Sequence, residues 1–137
     1  MTTCVANAVW CDSLSDGIGE VEVGSGFLHA PYTFASRFQD SKGCHPEELL
    51  GAAHASCFAM FLANVISEAG TPVLSVLTSA AVTLGDGPAV TGITLTVTVD
   101  APGLEASKFT EHVETTKLGC PISKALAVPI LVDAQLS

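Results

Sequence analysis

His45-Pro46-Glu47-Glu48-Leu49-Leu50-Gly51-Ala52-Ala53-His54-Ala55-Ser56-Cys57-Phe58 reads as the opening of one long helix, and the rest of the fold follows from it. Pro46 stands at the first helical position, where its missing N–H does no harm. Glu47 and Glu48 occupy the first turn and suit the positive end of the helix. The helix is expected to run to Ala69, with Gly70 as the residue just past its end. From Leu49 to Ile66 the chain is apolar almost all round, the pattern of a buried helix. Gly51, Ala52, Ala53, Ala55 and Ser56 are small enough to let another backbone approach closely.

Upstream of this helix the chain reads as strand. Val5 to Trp10 is a short apolar-rich run, and Asp12 to Gly19 is rich in turn formers. Glu20-Val21-Glu22-Val23 alternates as a half-buried strand does. Beyond the Gly24-Ser25-Gly26 turn, Phe27–His29 and Tyr32–Phe38 look extended, with Pro31 marking an edge or a turn. These make a three-stranded meander. Downstream, Ser75–Leu84 and Val90–Asp100 flank Gly85-Asp86-Gly87-Pro88 and form a hairpin of two long strands. Leu104–Leu118 is a second helix, with Phe109, Val113 and Leu118 as its apolar side. Gly119 ends it, Pro121 starts a short helix to about Leu126, and Pro129–Leu136 is a last strand. The order βββ-α-ββ-αα-β is an α+β pattern, and residues 1–137 read as a single domain.

The chain is 48% hydrophobic and only 14% charged, against roughly 25% charged in average soluble domains. That excess of apolar surface reads as subunit interface. No run approaches the ~18 to 20 uninterrupted apolar residues of a membrane span. The net charge is -9 with only five Lys and Arg, so no nucleic acid is expected as a partner. Met1–Trp10 lacks a basic region followed by a long apolar run, which makes cytoplasmic residence the expectation. The five cysteines, Cys4, Cys11, Cys44, Cys57 and Cys120, form neither a Cys-x-x-Cys arrangement nor an even set. A structural zinc site and a disulfide framework are therefore not expected.

Two thiols stand in chemical contexts. A mid-helix cysteine is ordinarily a small buried hydrophobe, yet Cys57 has the alternative of acting as a nucleophilic thiolate. A free thiol ionises near ~8.5 and reacts as the thiolate. Cys57 lies about three turns into its helix, beyond the reach of the dipole, so another cation must hold its charge. Arg37, the only arginine, offers several donors in a fixed fork. Glu47 suits the helix start and could also orient Arg37 through a bidentate pair. Glu47 and Cys57 lie ~15 Å apart along a straight helix and not on one face. They share a site most easily if two chains each contribute one, which points to a dimer interface. Cys120, in Gly119-Cys120-Pro121, is either a plain helix-end residue or a resolving thiol favoured by a helix start. His54 lies one turn before Cys57, as a core histidine or as a Cys–His partner. Cys4, Cys11 and Cys44 lack a chemical context.

These words resemble the OsmC/Ohr superfamily of osmotically induced and organic hydroperoxide resistance proteins, closest to the OsmC branch. The resemblance runs through Trp10, Gly17-Ile18-Gly19, Arg37-Phe38, Pro46–Ala55, Cys57-Phe58, Glu68-Ala69-Gly70 and Gly119-Cys120-Pro121-Ile122-Ser123-Lys124. The helix word and the Cys-Pro word together are highly specific. The resemblance implies an intertwined homodimer with an antiparallel sheet wrapped around two central helices. It implies a thiol-dependent peroxidase that reduces organic hydroperoxides in the oxidative stress response. On that reading Cys57 is the peroxidatic thiol, Cys120 the resolving thiol, and Arg37 and Glu47 the activating pair. A dithiol, of the lipoyl type in some members, would be the reductant, and no metal or cofactor would be needed. Cys44-His45 departs from the relatives' usual non-cysteine and asparagine and weakens the helix cap. Phe58 and Phe61, beside Met60 and Leu62, are expected to line an apolar substrate site. The alternatives are a redox sensor or a small-molecule binding module on the same fold.

Overall fold

The computed structural model describes all of Met1–Ser137. The chain forms two compact bodies, Met1–Leu49 and Leu50–Ser137. The first holds an antiparallel meander of β1 (Ala6–Cys11), β2 (Ile18–Val23) and β3 (Leu28–Thr33), in that order. Ile18 and Gly19, expected in a turn, already belong to β2. Gly19 pairs with Trp10 on one side and Tyr32 on the other. A Cβ at Gly19 would lie 2.6 Å from the Tyr32 ring and 2.7 Å from that of Trp10. The missing side chain is what lets those rings meet, with centroids 5.4 Å apart. Pro31 sits inside β3, an edge strand, where a lost donor is tolerated.

The expected extension of the third strand to Phe38 is not what forms. Phe34–Phe38 is a short helix, α1. The cause is a capping box: Thr33 Oγ1 accepts from the Ser36 amide at 3.0 Å, and Ser36 Oγ accepts from the Thr33 amide at 2.8 Å. Arg37 therefore projects from a helical turn rather than a strand.

Helix α2 (Pro46–Glu68) starts in the first body and runs through the second. Glu48 reaches back to the His45 amide at 3.1 Å, one half of a capping box. At the far end Gly70 donates to Ser67 O and Thr71 to Ile66 O, with Gly70 at φ +99°. That is a Schellman stop, one residue from the expected end. The helix is long and apolar enough to cross a membrane, with mean hydropathy 1.7 in its most apolar window. In the second body it instead contributes to the core. It buries a stripe rather than its whole girth: His54, Phe58, Leu62 and Ile66 are fully covered, while Met60 is exposed.

The second body continues with β4 (Ser75–Gly85), β5 (Ala89–Asp100), α3 (Ala106–Gly119), α4 (Pro121–Ala125) and β6 (Ile130–Leu136). The sheet order is β4-β5-β6. β4 and β5 form the expected antiparallel hairpin, but β6 pairs with β5 in parallel. The expected all-antiparallel sheet is corrected here. The α3–α4 connection carries the chain back to the start of the sheet, the kind of long crossover that parallel pairing requires. Ile93, Leu95, Val97 and Val99 alternate inward on β5 and form one core with Phe58, Leu62 and Ile66. Each such side chain contributes about 1.5–3 kcal/mol by leaving water. On α3 the buried face is Phe109, Val113 and Thr116, not Leu118, which is exposed. The spacing of 3 and 4 keeps that stripe on one side, and Leu118 falls off it.

Candidate active site

The second body brings the two singled-out sulfurs together. Cys57 Sγ lies in mid-α2 and Cys120 Sγ at the α3–α4 junction, 3.3 Å apart, both as free thiols. A disulfide needs a separation near ~2.05 Å. Closing the bridge takes a shift of little more than an ångström, within the reach of side-chain rotation. Gly119 makes the junction possible. A Cβ there would stand 2.4 Å from the Phe61 ring, so only glycine lets the end of α3 lie against α2.

The two sulfurs differ in access and in charge preference. Cys120 is fully buried, whereas Cys57 is half-buried. Cys57 opens on a groove of about 670 Å³ shared with Met60, Phe61, Asn64 and Pro121. Phe61 lines this groove. Phe58 does not, because helical periodicity sets it on the core stripe, where it is wholly covered. Burial pushes the Cys57 thiol up, the neighbouring Cys120 sulfur adds to this, and the Ile122 amide only partly offsets it. Burial also opposes charge on Cys120, but the Ser123 hydroxyl and amide, the Cys57 thiol and the Ile122 amide outweigh it and bring that thiol down. Within Leu50–Ser137 the groups around the pair favour charge on Cys120 over Cys57.

Behind Cys120 stands a residue that the sequence reading left without a role. Ser123 Oγ lies 2.7 Å from His54 Nε2. His54 is therefore a core histidine with a hydroxyl partner, and burial lowers its pKa and keeps the ring neutral. The Cys120-x-x-Ser123 spacing, one turn apart, was the available signal.

The first body assembles the other expected pair. Arg37 Nε and Nη2 donate to Glu47 Oε1 at 3.2 and 2.8 Å. Both donors end on one oxygen, and Oε2 is buried without a protein partner. The two-oxygen fork expected from sequence is thus not made; α1 presents the Nε–Nη2 edge of the guanidinium side-on to one carboxylate oxygen. Burial pushes the Glu47 carboxyl up, but the Arg37 hydrogen bond, the Glu47 amide and the charges of Arg37 and His45 bring it below its ordinary value. Arg37 also lies over Phe38, 5.2 Å from the ring centroid. It borders a cleft of about 350 Å³ with Trp10, Leu14, Tyr32 and Phe34, an aromatic wall that the strand reading did not anticipate. Of the remaining thiols, Cys4 and Cys11 are exposed. Cys44 has its thiol pushed up by burial and by the charge of Glu48.

The fold and site define an α+β chain with two free thiols in contact at a helix–helix junction, and comparison with known proteins narrows the class. Residues 39–134 match the family described as OsmC-like protein. The chain is 43% identical over 133 residues to the peroxiredoxin OsmC of Escherichia coli strain K12, covering 94% of this chain and 93% of that one. The Shigella flexneri protein of the same name matches equally. Among solved structures, an OsmC-like protein of unknown function from Vibrio cholerae superposes with a TM-score of 0.78 at 16% identity, over 98% of this chain and 100% of that one. The organic hydroperoxide resistance protein OhrB of Bacillus subtilis superposes with a TM-score of 0.66 at 22% identity, over 97% and 98% of the two chains. The chain belongs to the OsmC family and has its α+β fold.

Proposed function

We propose that this chain is a thiol-dependent peroxidase that reduces organic hydroperoxides to alcohols. The observation that carries the reading is the 3.3 Å approach of two free sulfurs, one reachable from solvent and one buried. The peroxiredoxin name of the 43% identical relative supports it. The Cys57 thiolate attacks the distal oxygen of the hydroperoxide and the O–O bond breaks. The alkoxide leaves and takes a proton to become the alcohol, and Cys57 is left as a sulfenic acid. The Cys120 thiolate then attacks the Cys57 sulfur, hydroxide departs and is protonated to water, and the disulfide forms. An external dithiol reduces the bridge by exchange. Sulfur carries both electrons throughout.

Because the residues around it disfavour charge on Cys57, the first step needs a cation. We assign that role to Arg37, held by Glu47, in a homodimer in which residues 1–137 act as one OsmC-like domain. Arg37 would also stabilise charge developing on the breaking O–O bond. The aromatic cleft beside Arg37 and the groove beside Cys57 both favour an alkyl tail over hydrogen peroxide. The test is steady consumption of cumene hydroperoxide with dithiothreitol by the wild type, Cys57→Ser and Cys120→Ser, with mass spectrometry after one equivalent of oxidant. Wild type should turn over, Cys57→Ser should be inert, and Cys120→Ser should accumulate sulfenic or overoxidised Cys57. Sustained turnover by Cys57→Ser would remove the proposal. A single oxidation without turnover would indicate a sensor, and no reaction at all a binding module.

A further inference from the structure

His54 occupies a place where the helix pattern calls for a hydrophobe. It heads the stripe that continues through Phe58, Leu62 and Ile66 at four-residue steps, and all four are fully covered in the core of the second body. A buried imidazole costs stability unless its nitrogens are paired. Nε2 has such a pairing, with Ser123 Oγ at 2.7 Å, and Nδ1 has no protein partner. The ring therefore depends on Ser123, and Ser123 belongs to α4, a helix of five residues. So short a helix has little stability of its own and holds its place by what it meets.

The same two elements meet a second time. Cys57 follows His54 by three residues on α2, and Cys120 precedes Ser123 by three at the start of α4. Residues three apart share one side of a helix. Cys57 Sγ and Cys120 Sγ lie 3.3 Å apart. Two side-chain contacts thus join α2 to the Cys120–Ser123 turn, a hydrogen bond and a sulfur pair, one turn from each other. Lys124 N–H donates to Cys120 C=O at 3.0 Å and closes that turn, so seating Ser123 on α2 also fixes where Cys120 stands. Lifting the turn away would leave both ring nitrogens of His54 unpaired in the core, which the core disfavours.

We propose that His54 and Ser123 are positioning residues for closure of the bridge: their hydrogen bond clasps the Cys120 turn onto α2 and keeps the buried sulfur within bonding reach of Cys57. The role deepens the peroxidase reading and rests on it only for the oxidant that starts closure. On that reading a Cys57 sulfenic acid must meet Cys120 before a second hydroperoxide reaches it. A turn already seated presents Cys120 at high effective concentration, with its ordering done before the reaction. The role requires no particular charge on either sulfur.

The test equilibrates the full-length chain carrying Cys4→Ser, Cys11→Ser and Cys44→Ser with glutathione and glutathione disulfide. The exchange balances without peroxide. Glutathione disulfide takes the two electrons, Cys57 forms the mixed disulfide and releases one glutathione, Cys120 displaces the second, and the two thiol protons pass to the glutathiones. The equilibrium gives the effective concentration of Cys120 at Cys57. Ser123→Ala should lower it about tenfold, a shift of about 30 mV toward a more easily reduced bridge. His54→Leu, whose side chain suits the stripe, should lower it as far, and the double variant no further, because both remove one bond. Ser123→Thr, which keeps the hydroxyl, should stay near wild type. A residue that only supports the fold would lower urea stability equally with the bridge open or closed. For a positioning residue, oxidation should stabilise Ser123→Ala by about 1.4 kcal/mol less than it stabilises wild type, the same tenfold. Equal losses in both forms with an unmoved glutathione equilibrium overturn the proposal, as do additive shifts in the double variant or an unmoved His54→Leu. The stated glutathione shifts in a protein that leaves cumene hydroperoxide unconsumed would remove the peroxidase reading and support this one. Hydroperoxide turnover with those equilibria unmoved would do the reverse.

Discussion

Replacing Glu47 by glutamine removes one charge and almost no volume, which makes it the cleanest probe of the Arg37 assignment. Both guanidinium donors end on Glu47 Oε1, at 3.2 and 2.8 Å. The carboxylate side chain is 10% exposed and the guanidinium 36%. A fully exposed ion pair contributes about 0.2–1 kcal/mol, and breaking a fully buried one costs about 3–5 kcal/mol. With one partner in partial contact with water, screening takes the cost of Glu47→Gln to about 1–2 kcal/mol, the more so because the amide oxygen can still accept. Urea unfolding should report that loss as a lower midpoint. If Glu47 acts by aiming Arg37, cumene hydroperoxide kcat/KM should fall on the order of tenfold, since tenfold is about 1.4 kcal/mol of barrier. The double substitution with Arg37→Gln should be no worse than Arg37→Gln alone, because a carboxylate that works only through the arginine has nothing left to orient. Additive losses in kcat/KM would refute the reasoning. So would a stability loss with activity untouched, which would leave Glu47 as a helix-start residue only.

Other outcomes follow from the same coordinates. The arginine hydrogen bond and charge hold the Glu47 carboxyl below its ordinary 4.5 in the folded chain, so the stability it contributes is present above 4.5 and lost as pH falls below that through the lower folded value; acid unfolding should be shallower in Glu47→Gln than in wild type. Gly119→Ala places a methyl 2.4 Å from the Phe61 ring, and should cost about 1–3 kcal/mol in urea unfolding and slow disulfide closure as the junction shifts. Phe58→Ala empties a fully covered position in the core of the second body and should lose about 3–5 kcal/mol. The same change should leave the preference among hydroperoxides untouched, whereas Phe61→Ala, on the groove, should alter it.

What could be read from sequence divides along physical lines. Helix α2 was legible to within a residue because its ends are set by local chemistry: Pro46 at the start, Gly70 at φ +99° past the end. The β4–β5 hairpin was legible because its turn residues and β-branched runs are local too. Helix α1 was missed because Tyr32, Phe34 and Phe38 suit strands, and a Thr33–Ser36 capping box decided between near-equal options. The parallel placement of β6 was missed because a seven-residue strand does not record its partner's direction. Phe58 and Phe61 were grouped as site lining from their nearness in sequence. Helical spacing from His54 could have parted them, since Phe58, Leu62 and Ile66 continue its stripe and Phe61 does not. The two sulfurs, 63 residues apart, could be singled out from their helix positions, but neither their contact nor the hydroxyl behind them could be placed, because local pattern says nothing of contacts across the fold.

On the proposed peroxidase mechanism, the environments of the two sulfurs divide the work between them. A nucleophile for peroxide must be reachable, and Cys57 is; a nucleophile for the sulfenic acid must avoid peroxide, and full burial gives Cys120 that protection. Burial ordinarily suppresses ionisation and would leave Cys120 inert. The Ser123 hydroxyl and amide, the Cys57 thiol and the Ile122 amide outweigh that penalty and bring the Cys120 thiol down. Cys57 meets the complementary problem: burial and the neighbouring Cys120 sulfur push its thiol up and the Ile122 amide only partly offsets them, so the proposed mechanism takes its cation from Arg37. Two sulfurs 3.3 Å apart can then exchange one proton as each step requires. On the proposed mechanism, attack on peroxide and closure of the bridge need opposite charge placements, and the two sulfurs, with Arg37 proposed beside Cys57, would supply both.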